Sequence, residues 1–262
     1  SDAYYNSANI MTKVANNIKA DSFYKMAIII NPSYEDAYWN KYSLSTSIPD
    51  AIHILKHCNA VNPQNEATRI SLEGLRAICG FSTEYKTLND TRYLNHPYKR
   101  SFNWFFNLPE QPAVYFNRWC FFDKMIALSQ KNRPFYEYGV WRAESFRYLL
   151  KNFKKGFGFD TFSGLPEKWH DVPAGAYSSY GVVPEVEGGE FFVGKFEDTL
   201  PIFFSKRRPK ASLINFDADL YRSTICALNY SKDVIDEKTV LIFDEFIINP
   251  NFHEAVIFSG ES

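Results

Sequence analysis

Long apolar runs are missing from this sequence. The longest aliphatic stretch is Ala27 to Ile30, whereas crossing a bilayer takes about 20 apolar residues, so no membrane partner is expected. Charge imbalance is missing too. With 29 basic and 30 acidic residues the formal net charge is −1, which leaves no nucleic-acid footprint in the overall balance. The four cysteines, Cys58, Cys79, Cys120 and Cys226, are widely spaced and no CxxC occurs. A disulfide framework and a zinc finger are therefore not expected, and a reducing compartment fits. Ser1-Asp2-Ala3-Tyr4-Tyr5 has no basic stretch leading into an apolar one. A secretory signal is thus not expected, and the expected location is cytoplasmic. GxGxxG and HExxH are absent as well, which disfavours a pyrophosphate cradle and a zinc-protease site. Aromatic residues are plentiful: 24 Phe, 17 Tyr and 5 Trp. A disordered chain would not keep so many rings solvated, so a packed core is expected. The length, 262 residues, suits one large domain or two small ones.

The first eighty residues read as helical. Ala20, Tyr24 and Ala27 fall at helical spacing before Asn31-Pro32, and Ala51, Leu55 and Cys58 repeat the pattern before Asn62-Pro63. Small residues at the first and third positions let helices approach closely, the larger middle residue fills the gap, and proline stops the helix. Glu35 to Ser45 carries Tyr38, Trp39 and Tyr42 and suits the opening helix of the next pair, and a further helix is expected from about Asn65 to Cys79. This resembles the tetratricopeptide repeat, a helix pair with a period near 34 residues; here the interval between the Asn-Pro pairs is 31. Such repeats imply a protein partner or self-association, and a peptide, a second subunit and the chain's own remaining domain all stay open. An ordinary helical bundle is the alternative. His53 and His57 are four apart on one helix, but zinc needs further ligands, and Cys58 points about 100° away from His57.

Residues 81–112 read as a packed connector. Asn95-His96-Pro97 and Pro109 to Pro112 interrupt any long helix, and Phe102, Trp104, Phe105 and Phe106 would be costly to leave exposed. A helix from about Val114 to Gln130 follows. Strands and helices then alternate. Strands are expected at Phe135–Gly139, Gly156–Asp160, Glu190–Phe196, Ala211–Phe216 and Thr239–Phe243. Helices are expected at Ser145–Phe153, Glu197–Phe204 and Ser223–Val234. The fold class expected is α/β: a doubly wound, mostly parallel Rossmann-like sheet over residues 113–262, preceded by the all-α repeat region.

Ligands of such sheets lie at the carboxyl ends of the strands. Here those ends carry Glu137, Gly139, Asp160, Asp217, Asp219, Asp244 and Glu245. A glycine at the first turn lets backbone approach a ligand, and an acid ending the second strand suits a ribose diol. Together they fit an adenosine-containing cofactor; a turn glycine and a capping aspartate fit the same residues. Asp217-x-Asp219 and Asp244-Glu245 on neighbouring strand ends would repel unless a cation lies between them. All-oxygen ligands suit Mg²⁺, Ca²⁺ or Mn²⁺. Such an ion can chelate neighbouring hydroxyls and lower a pKa, leaving one carboxylate as general base.

Five ordered motifs carry a family resemblance: Glu137-Tyr-Gly-Val-Trp-Arg142, Gly158-Phe-Asp-Thr-Phe-Ser-Gly-Leu-Pro-Glu167, Gly194-Lys-Phe-Glu-Asp-Thr-Leu-Pro201, Asp217-Ala-Asp-Leu-Tyr-Arg-Ser-Thr224 and Ile242-Phe-Asp-Glu245. From about Val114 onward the chain resembles the macrocin O-methyltransferases, class I enzymes that use S-adenosylmethionine and Mg²⁺ to methylate hydroxyl groups, typically on sugars of natural products. The resemblance implies cofactor contacts from Glu137, Gly139 and Asp160, with Phe196, Glu197 and Asp198 near the adenine. It implies Asp217, Asp244 and Glu245 as metal ligands, Asp219 as general base, and an acceptor hydroxyl aligned with the sulfonium methyl.

The chain departs from the family in three places. Ala143-Glu144 stands where two glycines are usual, and Glu245 stands for an aspartate. After His253-Glu-Ala-Val256, which reads as the start of a helix, no residues remain for the last two strands of a seven-stranded sheet. A C-terminally incomplete sheet is therefore expected, from a truncated chain or one completed by a partner. The competing reading is a helical-repeat interaction protein with a catalytically degenerate methyltransferase-like domain. Pro166 to Gly189 lacks periodicity and reads as a lid or a disordered insertion, with Trp169 and His170 as candidate substrate contacts. Lys206-Arg207-Arg208 reads as a solvated helix end.

Overall fold

The computed structural model describes residues 1–13, 16–81, 86–169 and 172–244. It comprises two compact units that divide between Phe121 and Phe122, and the second is an α/β unit.

The first unit is helical: α1 (Asp2–Lys13), α2 (Asn17–Ile30), α3 (Glu35–Tyr42), α4 (Ile48–Val61), α5 (Glu66–Ile78), α6 (Lys86–Asn89) and α7 (Pro97–Phe106). Ala20, Tyr24 and Ala27 are buried together with Ala8 and Ala37. Ala51, Leu55 and Cys58 are buried too, the first two in a second cluster. The two Asn-Pro sites are near copies. Asn31 and Asn62 close α2 and α4 with backbone angles within a few degrees of each other. Each donates its N–H four residues back, to Ala27 and Cys58. Each Oδ1 then accepts from the amide two residues on, Ser33 and Gln64, at 3.1 Å. The Glu35 carboxylate also accepts from Asn62 Nδ2 at 2.7 Å and Asn65 Nδ2 at 2.5 Å, fastening the start of α3 to the turn before α5.

The segment expected as a connector contributes a helix of its own. Pro97 begins α7, where its missing N–H costs nothing. Phe102 on α7 is buried with Ile70, Leu72 and Leu75 of α5. The close approach depends on Gly74, because a Cβ there would overlap the Phe102 ring.

α8 (Arg118–Leu128) spans the division between the units, which thus falls inside the helix expected over 114–130. In the second unit β1 (Phe135–Tyr138), α9 (Glu144–Leu150), β2 (Gly156–Asp160), β3 (Gly189–Val193), α10 (Phe196–Phe204), β4 (Leu213–Phe216), α11 (Tyr221–Ser231) and β5 (Val240–Phe243) follow in order. All four strand pairings are parallel, and the sheet order is β3-β2-β1-β4-β5. The chain moves outward in one direction from β1 to β3, crosses back, and moves outward again through β4 and β5. The order therefore reverses between β1 and β4, a topological switch point of a doubly wound sheet. Tyr136, Tyr138, Phe157, Phe159, Ile214 and Phe216 form one face and pack with Phe196, Leu200 and Phe203 of α10 and Ala227 of α11. On the other face Phe146 of α9 packs on Phe135 and Phe191, with ring centroids 4.7 Å apart in each pair. The third strand is shorter than expected. It ends at Val193, and Phe196 opens α10, because its ring is drawn into the core against Tyr138. The sheet's completion beyond β5, together with Glu245, His170 and the helix expected after His253, lies outside the described residues.

Candidate functional site

Gly139 leaves β1 with φ +88°. A side chain here would overlap the carbonyl oxygen of Asp217 at the end of β4. The close approach of the neighbouring strand end therefore itself requires a glycine at this position. The turn continues through Trp141 and Ala143, both left-handed at φ +49° and +60°. This is a conformation that favours glycine, so Ala143 is strained here.

Asp160, at the end of β2, fastens that turn. Its Oδ2 accepts from the amides of Val140 and Trp141, each at 2.7 Å, and its Oδ1 accepts from Phe162 N at 2.7 Å. A carboxylate offers about four acceptor sites, so three are engaged by this chain's own backbone. Glu137 lies inside the sheet with no exposed surface. The register sets it between Gly158 of β2 and Asn215 of β4, and its Oε1 accepts from Asn215 Nδ2 at 2.8 Å. Asn215 was missed by the sequence reading. The signal was present: an amide within the otherwise apolar strand Leu213-Ile-Asn-Phe216 needs a buried polar partner.

Across the switch point the Asp217 amide donates to Tyr138 O at 2.8 Å, and the Asp244 amide to Phe216 O at 3.0 Å, so the acids follow directly on the ladders. Asp219 is left-handed, with φ +56°. Burial, followed by the charges of Asp244 and Asp160, raises its pKa from 3.8 to about 6. Three strand ends, β2, β4 and β5, thus contribute carboxylates within electrostatic reach of one another. Their oxygen-only chemistry and mutual repulsion fit a hard cation. Among the described residues no group of three or more His, Cys, Asp or Glu has the geometry of a metal site, and Glu245 lies outside them. The remaining expected contacts differ in setting. Glu197 and Asp198 are exposed in the first turn of α10, whereas the Phe196 side chain belongs to the core. His53 and His57 lie edge to face, with ring centroids 4.8 Å apart, and His57 also stacks on Tyr38.

The segment expected as a lid or insertion is tied to the turn after β2 over its described part. Leu165 donates to Ala176 O and receives the Gly175 amide. Phe162 O accepts from the amides of Ser179 and Gly181. Gly164, at φ +98°, leaves room for the Gly175 and Ala176 carbonyls.

No protein-family model matches the chain, and no curated protein does. Among the described residues no helix is long and apolar enough to cross a membrane.

Proposed function

We propose that the chain is an S-adenosylmethionine-dependent, divalent-metal-dependent O-methyltransferase of the macrocin O-methyltransferase type, acting on a hydroxyl of a sugar or related small molecule. The observation that carries this reading is the convergence of Asp160, Asp219 and Asp244 at the switch point of the parallel sheet. The cofactor supplies a methyl group on a cationic sulfonium, which a carboxylate-rich site favours. On this reading Asp160 uses its remaining acceptor site for a ribose hydroxyl, and Gly139 gives the first turn its shape. Asp217, Asp244 and Glu245 hold the cation. Asp219 takes the acceptor proton, since a carboxyl with a pKa of about 6 is mostly ionised at neutral pH and yet more basic than an ordinary carboxylate. Glu137 supports the turn through Asn215 from inside the sheet. The helical unit would be a tetratricopeptide-like platform for a protein partner or for self-association, as its duplicated Asn-Pro caps suggest.

Calorimetry of the whole chain with S-adenosylhomocysteine, with and without Mg²⁺, tests the assignment. Saturable binding that Mg²⁺ strengthens, with Asp219→Asn retaining that binding but losing methyl transfer to polyhydroxylated acceptors, is the expected pattern. Absence of cofactor heat under both conditions sinks the proposal. Two observations favour a second reading, a repeat protein with a degenerate methyltransferase-like domain: Asp160 is largely engaged by backbone amides, and Glu144 follows a strained Ala143. That reading expects a protein partner for the helical region and no methyl transfer to any acceptor.

A further inference from the structure

Beside the acid-rich strand ends lies a pocket of opposite sign. It has a volume of about 240 Å³ and is lined by Arg142, Arg147, Ser179, Tyr180, Val182 and Pro184. Among the described residues neither arginine is paired with a carboxylate, although the chain carries 30 acids. Both are held locally. Arg147 Nη1 donates to Arg142 O at 2.7 Å, which spends one of its five donors. The Arg142 guanidinium lies 4.8 Å from the Trp141 ring centroid, a cation–π distance. The 179–182 segment of the lining is also fixed. Ser179 Oγ donates to Val182 O at 2.8 Å or to Phe162 O at 3.2 Å, and the Tyr180 amide donates to Ser178 Oγ at 2.8 Å. Tyr180 is nevertheless 88% exposed and left-handed, and Val182 is 66% exposed. An exposed ring and an exposed aliphatic side chain thus border two guanidiniums with unspent donors.

We propose that this pocket binds the phosphate group of a small-molecule ligand, with Tyr180 and Val182 flanking the organic part. Two guanidiniums match the near-dianionic charge of a phosphate monoester better than the single charge of a carboxylate. The pocket volume leaves room beside a phosphate for part of a sugar. The inference does not depend on methyl transfer; if both readings hold, the acceptor is a phosphorylated sugar.

The test titrates the full chain with inorganic phosphate at constant ionic strength, without S-adenosylmethionine or divalent cation, using calorimetry. The expected result is saturable binding, weaker by on the order of ten-fold for acetate and for each of Arg142→Gln and Arg147→Gln, and unchanged for the control Lys206→Gln. Ribose 5-phosphate is expected to bind more tightly than inorganic phosphate, and Tyr180→Ala to remove that advantage. Circular dichroism checks that the variants are folded. Any of four results overturns the proposal: no saturable phosphate binding, binding indifferent to both arginine variants, acetate equal to phosphate, or displacement of phosphate by S-adenosylhomocysteine. The last would assign the arginines to the cofactor's carboxylate. Because no cofactor or metal is added in the direct titration, its failure leaves the methyltransferase proposal standing, and the reverse also holds.

Discussion

Asp219 concentrates the site's electrostatics in one side chain. Its carboxyl keeps a proton up to about pH 6, first because it is buried and then because Asp244 and Asp160 repel its charge. A value raised above the unfolded 3.8 means that the favourable contribution is complete below about pH 4 and is lost as pH rises through 6. Above that, the ionised form opposes folding. Asn accepts the left-handed backbone at this position and carries no charge. Asp219→Asn is therefore expected to be more stable than the parent at pH 8 by ~1–2 kcal/mol, with the difference vanishing near pH 4. Urea unfolding at pH 4, 6 and 8 measures this, and an equally stable or weaker variant at pH 8 counts against the clustered acids. A bound cation would reverse the sign, since the ionised Asp219 would then have a partner.

Elements were legible where periodicity and punctuation agreed. The buried positions of α2 are the residues that the Ala-Tyr-Ala spacing selects, those of α4 include the Ala-Leu-Cys set alongside Ile52 and Ile54, and Asn-Pro ends both helices. The parallel sheet was legible from strands alternating with helices, and its acidic ends from four short motifs. Less was legible where an element's identity depends on a distant partner. Phe102, Phe105 and Phe106 read as a packed connector because nothing local says that Phe102 seats over Gly74. The strand at 189–193 was read too long because only the fold shows that the Phe196 ring belongs under Tyr138. Asp160 looked like a ligand contact, and its engagement by Val140, Trp141 and Phe162 amides arises from backbone turns that composition does not display. The phosphate pocket was illegible for the same reason, since Arg147 and Tyr180 meet only through tertiary placement. The α5–α7 contact makes its own prediction. Gly74→Ala improves helix propensity by about 1 kcal/mol but displaces a buried ring, which costs about 1–3 kcal/mol. Net destabilisation is expected, partly recovered in a Gly74→Ala/Phe102→Leu double variant, as thermal unfolding of the three chains would show.

Across the whole molecule, ion-paired acids define an acid limit. Hydrogen bonds from Arg133 hold Asp236 down to about 2, and those from Arg92 do the same for Asp90. For Asp21 burial pushes upward, but Lys25 and Lys41 together outweigh it and the net direction is down. Each contributes stability above the unfolded value near 3.8 that is lost as pH falls toward the folded one. The groups are spread over both units, so the melting temperature of the chain is expected to fall steadily from about pH 4 to about pH 2. Asp236→Asn is expected to flatten part of that slope. A slope unchanged by the variant would show that the Arg133 pair contributes nothing measurable. One contact ties the two sides of the switch point together more tightly than any of these. Because the Asp217 carbonyl occupies the volume a side chain would fill at Gly139, the turns after β1 and β4 mesh like adjacent gear teeth. A ligand that displaced one turn would therefore change affinity at the other, and by the same factor in both directions.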